Sequence, residues 1–147
     1  MMIRRASAAN RCGGATTVEM AGILSVLVLF LFSVFEYGRY VMIENVLINA
    51  VREGCRYALV HCQDTTVLSD TQALVTQKMA GLSNQLSGFA VSAFPTNNPS
   101  AALSTVNPDD PITVSAVGTL KALFPALPFI PSSFSMTTAT VMVSEGN

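Results

Sequence analysis

Met20-Ala21-Gly22-Ile23-Leu24-Ser25-Val26-Leu27-Val28-Leu29-Phe30-Leu31-Phe32-Ser33-Val34-Phe35 carries no charge. Extended back to Ala15, the run reaches roughly 32 Å as a helix, enough to cross a bilayer core about 30 Å thick. A cleaved secretory signal has a shorter apolar region followed by small residues, but here the run leads into Phe35-Glu36-Tyr37-Gly38-Arg39. A lipoprotein signal places a cysteine just after the run, whereas Cys12 precedes it. The reading is a permanent single-pass anchor over residues 15–35. Arg4, Arg5 and Arg11 precede it, and Arg39 and Arg52 follow within about 20 residues, a count that favours a cytoplasmic N-terminus.

Outward from the anchor, the helical period continues. Ile43, Val46, Leu47, Ala50, Val51, Gly54 and Ala58 recur at steps of three and four, an apolar stripe on a helix. Proline is absent from residues 15–60, so one helix of about 45 residues is expected, continuous through Gly38 despite its cost of about 1 kcal/mol relative to alanine. A second helix is expected from about Asp70 to Gly81, with Ser69 as N-cap and Gln72 completing a capping box.

Beyond Gly81 the period becomes two. Phe89-Val91-Ala93, Ile112-Val114-Ala116 and Met136–Val143 read as three strands, separated by proline-rich loops. The expected fold class is α+β: a long N-terminal helix, a short second helix and a small antiparallel sheet of about three strands. The sheet is expected to pack on the helix stripe at residues 43–58, since neither face is buried alone. The segments are a basic leader (1–14), the transmembrane helix (15–35), its amphipathic continuation (36–60) and a small extracytoplasmic α+β domain (61–147).

Composition narrows the function classes. The 147 residues are 50% hydrophobic and 12% charged, with net charge −1, and mean hydropathy is +0.48. A nucleic-acid-binding face needs a basic excess, which a pI of 5.7 does not supply. No phosphate-binding glycine loop, nucleophile elbow or metal-ligand spacing is present. His61 stands beside Cys62 alone, and Asp109-Asp110 lies in a proline-flanked turn. No enzyme activity, cofactor, metal or small-molecule substrate is expected. A disulfide between Cys55 and Cys62 requires the helix to end between them, since seven helical residues separate them by about 10 Å. Otherwise they are two buried thiols.

Glu19 places a carboxylate within the apolar segment, about one turn from its N-terminal end, where such a group commonly has a partner. If the chain is cut after Gly14, Glu19 becomes the fifth residue, about one turn from a new α-amine on Ala15. An amine on a neighbouring subunit serves equally well.

These features resemble a type IV prepilin-like N-terminus and, more narrowly, the TadE-like pseudopilins of tight-adherence (Flp-type, type IVb) pilus systems. The resemblance rests on the basic leader ending at Gly14, on Ala15-Thr16-Thr17-Val18-Glu19-Met20, on Glu36-Tyr37-Gly38-Arg39, and on Arg52-Glu53-Gly54-Cys55-Arg56-Tyr57-Ala58, similar to the family's REGARYA stretch. Thr138–Glu145 is similar to its closing strand. The resemblance implies cleavage between Gly14 and Ala15 by a prepilin peptidase, an inner-membrane location with the N-terminus cytoplasmic, and partnership with other pilin, pseudopilin and pilus-assembly subunits. An uncleaved single-pass scaffold with an extracytoplasmic interaction domain is the alternative. Arg52, Glu53 and Arg56 are expected to support the junction of helix and domain, the alternative being a docking patch.

Overall fold

The computed structural model describes residues 13–103, 106, 110–125 and 130–143. The leader through residue 12, Asp109 and Ser144-Glu145 lie outside the described residues. The chain divides after Phe35 into two compact units.

In the first unit, helix α1 (Gly13–Val60) exposes every described side chain from 14 to 35. Its most apolar window has mean hydropathy 2.4 and no buried residue. Two polar side chains within the run are satisfied internally. The Ser25 hydroxyl donates to the Ala21 carbonyl at 2.8 Å and Ser33 to Leu29 at 2.9 Å.

In the second unit, α1 turns one stripe inward. Ile43, Leu47, Ala50, Val51, Cys55 and Ala58 are all at most 1% exposed. This is the expected stripe with Cys55 added, while Val46 is only partly buried. The helix passes through Gly38 unbroken.

Helix α2 spans Val67–Lys78, starting three residues earlier than the sequence reading places it. Val67, Thr71, Val75 and Met79 are all buried, and four-residue spacing puts them on one face. Burial of Val67 draws the first turn forward, so Ser69 lies inside the helix and the capping box does not form. The N-cap is Thr66, whose side chain makes no capping bond. Its hydroxyl bonds Asp70 at 2.8 Å instead, and the Ser69 hydroxyl donates to the Thr66 carbonyl. A short 3₁₀ turn follows at Leu82–Gln85.

Strands β1 (Leu86–Pro95), β2 (Ile112–Lys121) and β3 (Ser133–Met142) form an antiparallel sheet in the order β1-β2-β3. Pro95 is the last residue of β1, a position on an edge strand where a missing N–H is tolerated. The register shifts by one residue between Ser87 and Ala90. Gly88 lies in that bulge at φ +67°, in the left-handed region that glycine enters without penalty.

Along β2, Ile112, Val114, Ala116 and Leu120 turn into the same core as the α1 stripe, joined by Leu86, Met136 and the α2 face. The sheet thus packs on the helix, as expected of two faces that are apolar on one side only.

Candidate assembly site along the helix

Glu36 is the first charged residue after the apolar run, yet it is 2% exposed. Its Oε1 accepts from Arg39 Nη2 at 2.8 Å and from the Leu123 amide at 3.1 Å. Three residues of helix separate the pair, so they share a face. Arg39 then reaches outward, donating to the Lys121 carbonyl at 2.7 Å and to Gln85 Oε1 at 3.4 Å. One ion pair therefore ties α1 to the end of β2, the loop after it and the 3₁₀ turn. Glu36 Oε2 and Arg39 Nε are buried without partners among the described residues. Tyr37, on the adjacent face, is 68% exposed. Tyr40 stacks at 6.5 Å from Tyr37 and packs on Phe134 at 5.4 Å.

The Arg52–Tyr57 block divides between core and solvent. Gly54 is where α2 comes closest to α1: a Cβ there meets Val75 Cγ2 at 2.5 Å and Thr71 Cγ2 at 3.4 Å. Cys55 is fully buried beneath the sheet, its thiol 3.6 Å from the Ile112 and Thr140 carbonyls. Burial pushes this thiol above its ordinary value, against backbone hydrogen bonds from Val114 and Met142 that lower it. Cys62 is also buried, and both sulfurs are free. Helix α1 ends at Val60, between the two cysteines, and the Cys55 thiol faces the sheet carbonyls. Tyr57 stacks on His61 at 4.2 Å, and its carbonyl bonds His61 Nδ1 at 3.1 Å.

Arg52, Glu53 and Arg56 are all exposed. Glu53 lies 3.8 Å from Lys78 of α2 on the surface. Arg52 and Arg56 make no ion pair or hydrogen bond among the described residues. They are four residues apart, so they present two guanidinium groups on one face.

Gly14, Ala15 and Glu19 lie on the exposed part of α1. A Cβ at Gly14 meets nothing within 4 Å, and Glu19 has no hydrogen bond or ion pair among the described residues. Among those residues there is also no group of three His, Cys, Asp or Glu able to hold a metal.

The partners that make Glu36 and Arg39 a clamp escape a sequence reading. The Leu123 amide and Lys121 carbonyl are main-chain groups more than 80 residues away, and main-chain groups leave no compositional signal. Burial of Glu36 has one faint signal, its position beside an arginine one helical turn on.

No curated protein and no solved structure matches this chain significantly. Residues 14–56 match the family model for TadE-like protein, a span that holds the apolar run, the Glu36–Arg39 clamp and the Gly54–Cys55 contact. Over that segment, less than half of the chain, the sequence is similar to TadE-like proteins.

Proposed function

We propose that the protein is a minor pseudopilin: a non-enzymatic, membrane-anchored subunit that assists assembly of a tight-adherence pilus or a related secretion apparatus. The observation that carries this reading is the coincidence, within one TadE-like segment, of a fully exposed apolar helix and a packing stripe that holds a small α+β domain. The helix anchors the subunit in the inner membrane with its N-terminus cytoplasmic, and the domain stands on the extracytoplasmic side. A prepilin peptidase cuts between Gly14 and Ala15, both exposed. Cleavage removes Arg4, Arg5 and Arg11 and leaves an α-amine about one turn from Glu19. That carboxylate then pairs with the amine of its own or a neighbouring chain, since opposite charges withdrawn from water offset their desolvation only when well matched.

The test is N-terminal sequencing of protein made together with its peptidase, combined with assembly of a Glu19→Ala variant. Ala15 as the first residue, with Glu19→Ala inserted in the membrane but absent from assembled complexes, supports the reading. An N-terminus at Met1 or Met2 sinks it and leaves an uncleaved scaffold.

A further inference from the structure

We infer that the outer edge of β3 pairs with the same edge of a second copy of this chain, antiparallel and two-fold, so that the two sheets become one. The inference stands on the second unit alone.

The two edges of the sheet differ. Along β1 the register shifts beside Gly88, Pro95 ends the strand without an N–H, and Gln72 of α2 donates to the Val91 carbonyl at 2.8 Å. Bulges, prolines and a covering helix are devices that close an edge to other strands. Among the described residues β3 has none of these. Ser133–Met142 is ten residues long without proline, glycine or charge, and its pairing with β2 carries no bulge. Among the described residues its main-chain groups bond only β2, apart from the Thr140 carbonyl that takes the Cys55 thiol. Ser133, Ser135, Thr137, Ala139 and Val141 are all exposed. A long, uncharged edge of this kind is a template for another strand.

Charge selects the occupant. Helix α1 runs alongside β3, with Tyr40 packed on Phe134 and the Cys55 thiol on the Thr140 carbonyl. The helix rises about 22 Å between those contacts and the strand about 20 Å, so the two keep level. On this side of α1, Glu44 accepts from the Tyr40 hydroxyl. Arg56 shares a recess with Met142 and Val143 at the end of β3, and Arg52 precedes it by one turn on the same face. Antiparallel pairing centred on Thr137, near the middle of the strand, sets Ser135 of one copy opposite Ala139 of the other. Glu44 of each copy then stands level with the Arg52–Arg56 segment of the other, a reciprocity that a two-fold interface requires. Two arginines without a partner among the described residues thereby gain an acid. At the centre a threonine meets a threonine, a favourable cross-strand pair.

The test uses the full chain in detergent with Cys12→Ser, leaving Cys55 and Cys62 buried. Thr137→Cys is oxidised with copper phenanthroline, and Ala90→Cys, exposed on β1, is the control. The expected result is a disulfide-linked dimer from most of the Thr137→Cys chain and none from Ala90→Cys. Arg52→Glu/Arg56→Glu is expected to abolish the link at position 137, and adding Glu44→Arg to restore it. If Thr137→Cys disturbs the sheet, co-expressed Ser135→Cys and Ala139→Cys chains, opposed in the same register, replace it. A folded Thr137→Cys chain that stays monomeric overturns the inference, as does equal linking at positions 137 and 90, the mark of random collision. A link that survives the arginine reversal overturns the charge pairing and with it the two-fold register. Oxidation in intact membranes that links position 137 to a different protein, and not to a second copy, also overturns it, by showing a foreign strand on that edge.

Discussion

Glu36 and Leu123 lie 87 positions apart, yet the Glu36 carboxylate accepts the Leu123 amide at 3.1 Å. The same oxygen holds Arg39 at 2.8 Å. A buried acid at the start of the second unit thus joins α1 to the loop after β2. Removing one partner of a buried, hydrogen-bonded pair typically costs at least about 3 kcal/mol, because the other charge stays unpaired. Glu36→Ala is expected to lower the stability of the second unit by that order, and Glu36→Gln by less, since an amide oxygen still accepts the Leu123 N–H. Equilibrium urea unfolding of the detergent-solubilised chain measures both.

Gly54 allows α2 to approach α1 closely. A methyl group there collides with the Val75 side chain, which belongs to a fully buried face and has little room to move. Gly54→Ala is expected to destabilise by about 1–3 kcal/mol, the usual range for overpacking. Adding Val75→Ala is expected to return part of the loss. A double-mutant cycle checks this, with a coupling near zero counting against the contact.

Cys55 is predicted to resist alkylation in the folded chain and to react only on unfolding. Iodoacetamide labelling of a chain whose only cysteine is Cys55 reads this directly. The raised thiol value also sets a pH dependence. Below the ordinary value of 9.0 the thiol is neutral, folded or unfolded, and stability is unaffected. Above it the unfolded chain loses the proton while the folded chain keeps it, so stability falls as pH rises toward the folded value. Cys55→Ala is expected to remove that alkaline slope.

Arg52 and Arg56 are expected to be dispensable for folding. Exposed positions without partners usually change stability by no more than about 0.5 kcal/mol. Arg52→Ala/Arg56→Ala should therefore unfold like the parent chain and lose co-purification with other pilus-assembly subunits. Clear destabilisation of the double variant restores a structural role, and unchanged co-purification removes the docking one.

The long helix, the three strands and their packing on residues 43–58 were legible because period and proline placement are local signals. The start of α2 was not. Ser69 and Gln72 make a plausible cap, but burial of Val67 against the core outweighs a capping bond, and burial is set by tertiary structure. The packing contacts of the Arg52–Tyr57 block were hidden for a related reason. Its charges stand out in the sequence, while the contacts are made by Gly54 and Cys55, the two residues small enough to enter a close helix–helix and helix–sheet approach. The Glu36 clamp lay beyond sequence reasoning altogether, since its distant partners are main-chain atoms.

Processing at Gly14–Ala15 is the centre of the functional account, and intact-mass measurement of membrane-extracted protein produced alongside its prepilin peptidase tests it most directly. The account predicts a mass lower by residues 1–14, and retention of the full mass in a Gly14→Val variant whose bulkier side chain blocks the cut. Full-length mass for the unaltered chain in the presence of active peptidase contradicts it.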